Sequence, residues 1–225
     1  MTFSIVGRCA LTGALGGAIT SSSPAVASRC VYVRAGVGAV ATQNVTDPRL
    51  GPAMLDALEN GLAAEQAVAQ VSASAPFAEF RQLTAIDHAG RTAVFSGASS
   101  LGVNGAASGN DCQVAGNLLA GLDVLSACAA AFEVDPSLPL EERLLSALEA
   151  GLAAGGEAGP LHSAGLLVAS DVAWPTTDLR IDWSDDPIGD LARLWHLWAP
   201  QKGAYLARAL DPTSAPSYGV AGDDR

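Results

Sequence analysis

Thr2 is the residue whose position could support catalysis, because it directly follows Met1. The initiator Met is usually removed before a residue as small as threonine. Removal would leave a free amine on the carbon that bears the threonine side chain, and an α-amine has an ordinary pKa of about 7.7–8.0. Near neutral pH this amine can take the proton of the hydroxyl, so one residue would supply both base and nucleophile. The chemistry expected of such a pair is attack on a carbonyl carbon.

The segment that would position Thr2 is predicted to be a β-hairpin. Its first part, "TFSIVGR", is rich in β-forming residues. The sequence "ALTG" then supplies a turn in which Gly13 can adopt a positive φ. The returning strand is "ALGGAITSS", and its glycines indicate close approach of another backbone or layer. Thr2 is therefore expected at the start of the first strand.

A secretory signal peptide is the alternative interpretation of the same segment. Arg8 would be its positive region, residues 9–20 its apolar region, and Ala25-Val26-Ala27 a cleavage site before Ser28. Glycines and a threonine interrupt the apolar region and would weaken a signal helix. The first residue of the mature protein separates the two interpretations.

The composition is typical of a single globular domain. Of the 225 residues, 49% are hydrophobic and 16% are charged, and this length can bury a sizeable core. We assign the domain to residues 1–210 and expect a disordered tail at residues 211–225. A net charge of −11 with a single lysine, Lys202, argues against nucleic acid as a partner. No run of 18 apolar residues is present, so no membrane span is expected.

The cysteines, histidines and glycine-rich segments give no pattern of a metal or cofactor site. No pair of the four cysteines forms C-x-x-C, and the three histidines lie far apart. The glycine-rich "GALGGA" and "GASSLGVNG" lack the sequence context of nucleotide-binding loops. We predict neither a metal nor a cofactor, and four reduced, buried thiols in a cytoplasmic protein.

The order of predicted elements is four strands, two helices, three strands, two helices, two strands and a helix. In this order, residues 97–110 are a glycine- and serine-rich loop, and the fourth helix starts near Ser137. Strands adjacent in sequence usually pair antiparallel, and helices that arrive in pairs can cover a sheet. The sequence therefore predicts an α+β fold, a four-layer αββα sandwich of two mainly antiparallel sheets.

The chain resembles the N-terminal-nucleophile hydrolases, the superfamily of the proteasome β subunits. It is more similar to one uncharacterised member family, domain of unknown function 1028. The motifs that carry the resemblance are "TFSIVGR…TGALGGAI", "RAGVGAVATQ", "DPRLGP", "GNLLAG" and "DLRIDW…DDPI". Their order and spacing extend from residue 2 to about residue 195. The resemblance implies the same αββα sandwich.

The resemblance also implies roles for four residues. Thr2 matches the nucleophile, and Gln43 falls where the superfamily offers a backbone N–H to the oxyanion. Asn117 falls near the polar residue that approaches the terminal amine, and Ser163 matches another such neighbour. For Asn117 the alternative is a structural role, since asparagine at a strand end often satisfies a bend.

One feature of the proteasome pattern is missing, because no lysine lies beside the nucleophile. Arg29 or Arg34 could supply positive potential in its place, although an arginine cannot shuttle protons. We predict Arg34 and Asn44 as substrate-binding residues.

These expectations combine into an amide-bond hydrolase of the acylase type that acts on a small-molecule amide. The alternative is a catalytically inactive protein with the same fold that binds an unknown ligand. A homodimer is also predicted, because five large apolar side chains lie within eight residues near the C-terminus and cover more than one helix face, and full burial of these side chains within one subunit is the alternative. They are Leu191, Leu194, Trp195, Leu197 and Trp198.

Overall fold

Two antiparallel sheets pack face to face, and helices cover both outer faces. The computed structural model describes residues 1–222. The six-stranded sheet has β1 Thr2–Arg8, β2 Leu15–Ser21, β7 Gly105–Gly109, β8 Cys112–Asn117, β9 Ser163–Ala169 and β10 Thr177–Ile181. The four-stranded sheet has β3 Val31–Arg34, β4 Gly38–Asn44, β5 Arg81–Asp87 and β6 Thr92–Ser96. The predicted α+β class and αββα order are confirmed.

Within residues 1–222, seven α-helices complete the fold. They are α1 Ala27–Cys30, α2 Leu50–Glu59, α3 Ala64–Ser74, α4 Asp123–Glu133, α5 Leu140–Ala153, α6 Pro187–Trp198 and α7 Lys202–Leu210. Helices α2 and α3 cover the four-stranded sheet, whereas α4, α5 and α6 pack against the six-stranded sheet. No helix within residues 1–222 is both long enough and apolar enough to cross a membrane.

The N-terminal hairpin lies at the centre of the six-stranded sheet, whose order is β10-β9-β2-β1-β8-β7. In its register Thr2 lies opposite Ser21 and Arg8 lies opposite Leu15. The turn between them contains Gly13 at φ +76°, which favours glycine. The second half of the apolar region in the signal-peptide interpretation is therefore strand β2, and cleavage before Ser28 would remove both central strands.

Side chains alternate between the two faces of β1, as the period of a strand requires. Phe3 and Ile5 point to the helical layer and join a cluster with α4 and α5. Val6 points the other way and packs with residues of both sheets, including Ile19 and Ala39. A third cluster joins the outer face of the four-stranded sheet to α2 and α3. Thr2 and Ser4 therefore face the space between the sheets.

The glycines of β2 allow the close approach predicted from the sequence. A Cβ at Gly16 would lie 2.8 Å from the carbonyl oxygen of Leu167, and one at Gly17 would lie 2.9 Å from Cγ1 of Val31. Both distances are shorter than ordinary van der Waals contact. Strand β2 therefore needs glycine at the two positions where residues of neighbouring strands approach it most closely.

The structure corrects four details of the predicted element order, one of which is a second C-terminal helix, α7, after α6. Strand β7 lies inside the segment 97–110, for which the sequence predicts a loop. The glycine, alanine and serine residues of this segment have low strand propensity, and this is why a loop was expected. It forms by pairing with β8. The sequence prediction also lacked α1, and α5 starts at Leu140 rather than near Ser137.

Most of the apolar side chains that led to the dimer prediction pack within the subunit. Leu191 and Trp195 are buried, and Leu194 and Trp198 pack against the same cluster. Leu197 is 65% exposed. The remaining described residues, 211–222, form turns and extended chain without helix or strand. The predicted tail continues to residue 225, and residues 223–225 lie outside the described residues.

Candidate active site

Four polar residues form one row across the six-stranded sheet. Thr2 lies opposite Ser21 on one side and opposite Asn117 on the other, and Ser21 lies opposite Ser163. Residues paired in this way place their side chains on one face of a sheet, which here faces the four-stranded sheet. All four residues are buried. Three of the predicted catalytic residues therefore lie in one row, and Ser21 joins them.

The Thr2 hydroxyl points to the peptide bond that precedes it. Oγ1 of Thr2 donates a hydrogen bond of 2.5 Å to the carbonyl oxygen of Met1, and Oγ of Ser21 donates another of 2.5 Å to the same oxygen. The two hydroxyl oxygens are 3.2 Å apart. Ser23 extends this group, because its Oγ lies 2.9 Å from that of Ser21. Met1 covers the threonine, which is only 7% exposed.

A cavity of about 390 Å³ opens beside Thr2. Its lining residues are Met1, Thr2, Ser23, Val26, Arg29, Cys30, Asn44, Val45 and Thr46. Nη2 of Arg29 donates to Oγ of Ser23 at 2.8 Å, and its Nη1 donates to the carbonyl oxygens of Pro24 and Ala25. Arg29 is thus a positive charge that reaches the hydroxyl group of Ser23 beside the candidate nucleophile.

Arg34 lies outside this cavity. It forms ion pairs of 2.9 Å with Asp56 and 2.6 Å with Glu59, both on α2. Lys202 is also placed elsewhere, because its Nζ forms an ion pair of 2.5 Å with Glu141. Of the two arginines considered from the sequence, Arg29 is the one that the fold brings to Thr2.

Asn44 lines the cavity and also holds two loops. Its φ is +76°, in the left-handed region that asparagine tolerates better than most residues. Its Nδ2 donates to the carbonyl oxygen of Phe80 at 2.6 Å, and its Oδ1 accepts from the backbone N–H of Leu101 at 3.2 Å. Asn44 therefore lines the cavity with its amide engaged in structural hydrogen bonds, and its role in substrate binding stays a prediction.

Gln43 belongs to a buried polar network that joins the two sheets. Its Oε1 accepts from Oγ of Ser4 at 2.7 Å, and its Nε2 donates to Oε1 of Gln82 at 2.8 Å. Asn117 donates from Nδ2 to the same Gln82 oxygen at 3.2 Å. The network brings Gln43 and Asn117, which lie in different sheets, to the same buried layer as Thr2. Its side chains are held by each other, which orients them rigidly.

Ser163 positions the loop after β2. Its Oγ donates to the carbonyl oxygen of Ser23 at 2.6 Å and accepts from the backbone N–H of Val26 at 3.2 Å. Neighbouring strands are about 4.8 Å apart, so two strand spacings separate Ser163 from Thr2. Ser163 therefore makes no direct hydrogen bond to Thr2 and is linked to it through Ser23 and Ser21.

Glu157 is a buried carboxylate beside the N-terminus, and it was not predicted from the sequence. It is 6% exposed; Oε2 accepts from the backbone N–H of Ser22 at 3.2 Å, whereas Oε1 has no hydrogen-bond partner among the described residues. Burial raises its pKa to about 7, and the positive charge of the Met1 amine opposes this rise. At neutral pH this carboxyl group can therefore exchange protons.

Ser21 and Glu157 could not be identified from the sequence, because only long-range pairing brings them to Thr2 and Met1. Ser21 could have been found by setting Thr2 opposite the end of "ALGGAITSS", but only once the hairpin register was known. Glu157 carries no local signal, since it stands alone in a glycine-rich loop. Within residues 1–222, no group of three or more His, Cys, Asp and Glu side chains is placed to hold a metal ion.

Comparison with solved structures gives a strong likeness to a protein of known family. The protein SPO2555 from Silicibacter pomeroyi, assigned to DUF1028, is 33% identical to this chain with a TM-score of 0.84, and the match covers 92% of this chain and 93% of that one. Anbu (ancestral β-subunit) from Yersinia bercovieri is 10% identical with a TM-score of 0.39, covering 90% of this chain and 96% of that one. Anbu from Hyphomicrobium sp. strain MC1, as a Gly-1 mutant, is 14% identical with a TM-score of 0.41, covering 91% and 97%. Likenesses as weak as the last two carry no argument about activity.

The family comparison covers most of the chain. No curated protein matches the sequence. The model of a family of unknown function, DUF1028, matches residues 2–191. This match begins at Thr2 and includes every residue of the row across the six-stranded sheet. The chain belongs to the DUF1028 family.

Proposed function

We propose that this protein hydrolyses amide bonds with the Thr2 hydroxyl as nucleophile, after the bond between Met1 and Thr2 has been cut. The observation that carries the proposal is the pair of hydroxyl groups, from Thr2 and Ser21, that converge on the carbonyl oxygen of Met1. A carbonyl group is thus already bound where a substrate carbonyl would react. The cavity of about 390 Å³ is within the size range of small-molecule sites.

The proposed reaction proceeds through an ester on Thr2. The free amine takes the proton of the hydroxyl, and Oγ1 forms a bond to the carbonyl carbon of the amide. The carbon–nitrogen bond breaks, and the departing nitrogen takes the proton from the Thr2 ammonium. Water then gives a proton to the amine and adds to the ester carbon. The bond between this carbon and Oγ1 breaks, Oγ1 takes the proton, and a carboxylic acid leaves.

Three donors are proposed for the negative charge that develops on the substrate oxygen. Ser21 is the new one, since its Oγ already donates to a carbonyl oxygen at this position. The backbone N–H of Gln43 and the side-chain amide of Asn117 remain as proposed from the sequence. Nδ2 of Asn117 carries two hydrogens, so its hydrogen bond to Gln82 does not use its whole donor capacity. Donors fixed before the reaction lower its barrier more than mobile ones.

A chain that begins at Thr2 tests the proposal. It can be made from a fusion whose proteolytic removal leaves Thr2 as first residue, as checked by intact mass. We expect it to react with a peptide epoxyketone and to turn over members of an amide library. Thr2→Ala should abolish both, Thr2→Ser should retain part of both, and Thr12→Ala, a change in the exposed hairpin turn, should leave both unchanged. Turnover by Thr2→Ala at the wild-type rate would contradict the proposal.

A binding protein without turnover is the second candidate. The observation that favours this candidate is the position of Met1. A retained Met1 blocks the nitrogen of Thr2, and its carbonyl oxygen binds the hydroxyls of Thr2 and Ser21. Ligand binding by the Met1-containing chain, with no turnover after Met1 removal, would favour this candidate.

A further inference from the structure

Met1 is itself an aminoacyl group bound against Thr2. Its carbonyl oxygen is held by the hydroxyls of Thr2 and Ser21. Its side chain lies against Gly159, where a Cβ would be 2.9 Å from Cε and 3.5 Å from Sδ of Met1. The absence of a side chain at Gly159 therefore leaves the space that the thioether occupies. Both the carbonyl group and the side chain of this aminoacyl unit have a defined place.

Glu157 lies across the end of β1 at which Met1 precedes the strand. The backbone of Glu157 forms a bridge with Leu119, just past the end of β8. Its side chain accepts from the N–H of Ser22, just past the end of β2. Because β1 lies between β2 and β8 in the sheet, a residue bonded to both of these ends must lie across the open end of β1.

Glu157 lacks a partner for one of its oxygens. Oε1 is buried and accepts no hydrogen bond from the described residues. A buried carboxylate oxygen without a donor is unfavourable, so Oε1 calls for a partner that the described residues do not supply, such as water, an ion or a ligand. Burial is the largest effect on this carboxyl group, and the opposing effect is the positive charge of the Met1 amine. An ammonium group could satisfy Oε1; the Met1 amine lies near enough to lower the pKa of Glu157 but makes no hydrogen bond to Oε1.

We infer that the space of Met1 is the acyl subsite of the enzyme, that it takes amides of amino acids with a free α-amine and an unbranched apolar side chain, and that Glu157 binds this amine. The inference rests on the proposed function, since it places the substrate carbonyl at Thr2. Removal of Met1 empties this space, and a methionyl group that enters it takes the places of the Met1 carbonyl oxygen and side chain. Its amine can then reach Oε1 of Glu157, because this group is not tied to Thr2 by a peptide bond. Hydrolysis then releases a free amino acid and an amine.

Binding to an inactive chain tests the subsite without requiring turnover. The chain begins at residue 2 and carries Thr2→Ala, and the probes are L-methioninamide and N-acetyl-L-methioninamide in calorimetric titrations. We expect the free amine to bind at least about tenfold more tightly, as a hydrogen bond between charged groups provides. Glu157→Gln should remove this preference, and the matched change Glu149→Gln, at an exposed carboxylate, should keep it. Gly159→Ala should shift the preference from methioninamide toward alaninamide.

Two results would overturn the subsite. One is equal binding of the free and acetylated amides, and the other is a preference that survives Glu157→Gln. Turnover of L-methionine p-nitroanilide by the chain that begins at Thr2 is measured separately. If the preference is present and depends on Glu157 while turnover and epoxyketone labelling are both absent, the subsite stands and the hydrolase proposal fails. If labelling is present and the preference is absent, the substrate class is wrong.

Discussion

Replacement of Glu157 by glutamine should make the protein more stable above neutral pH. Burial raises the pKa of this carboxyl group from the ordinary glutamate value of 4.5 to about 7. The folded protein therefore holds a proton on Glu157 between these two values while the unfolded chain has lost it. The part of the free energy of unfolding that depends on protonation of Glu157 is fully present below pH 4.5 and is lost as the pH rises to about 7.

The magnitude follows from the difference between the two pKa values. At about 1.4 kcal/mol for each pH unit, the loss is about 3 kcal/mol. The charged groups near Glu157 are the Met1 amine and, across a cavity of about 190 Å³, the carboxylates of Asp185 and Asp186. Glutamine keeps an oxygen for the N–H of Ser22 but never ionises. The variant should thus match the wild type at pH 4.5 and exceed it by up to about 3 kcal/mol at about pH 8.

Urea unfolding at the two pH values measures this difference as a change in the free energy of unfolding. Glu149→Gln is the control, because it makes the same chemical change at an exposed site on α5 and should follow the wild type at both pH values. The reasoning is refuted if Glu157→Gln is no more stable than the wild type at about pH 8, or if the gain is the same at both pH values.

The remaining predictions concern four other features. Asp87→Asn should cost about 2–4 kcal/mol of stability in thermal or urea unfolding, because the buried carboxylate accepts hydrogen bonds from the backbone and from Arg91. Burial raises the pKa of Asp87, but these hydrogen bonds lower it overall. The contribution of Asp87 to stability should therefore be lost on acidification. Ser21→Ala should reduce turnover by about 10²-fold or more if its hydroxyl stabilises the oxyanion, and wild-type kcat in this variant would remove it from the mechanism. Thiol titration should find four thiols only after unfolding, because all four cysteines are free and buried and burial raises the pKa of Cys112 and Cys128 to about 12. The homodimer stays a prediction, and sedimentation at micromolar concentration that finds only monomer would contradict it.

The layers of the fold were predictable because they depend on local patterns. The hairpins around Gly13 and Gly90 combine β-forming residues with a turn glycine, and both kinds of signal lie within a few residues of each other. Strand β7 was not predictable in this way, since its residues form a strand only through pairing with β8. Its backbone partner, rather than its own propensity, decides its conformation.

The candidate site was predictable only in part, for a related reason. Thr2, Gln43 and Asn117 could be assigned because the resemblance to a known superfamily gave their places in the chain. Arg34 faces α2 and its acidic residues, and nothing in its local sequence indicates this direction. The carboxylate of Glu157 accepts a hydrogen bond from Ser22, 135 residues away in the sequence, and only the folded sheet brings the two together.

The most direct test of the central claim is to map the site of epoxyketone labelling on a chain that begins at Thr2. Peptide mass spectrometry after labelling should place the adduct on Thr2 alone, with no adduct on the Met1-containing chain, in which the amine is absent from Thr2 and the hydroxyl is bound to the Met1 carbonyl. Labelling should also compete with any amide that the chain turns over. An adduct at another residue, or equal labelling of the Met1-containing chain, would contradict the assignment of Thr2 as nucleophile.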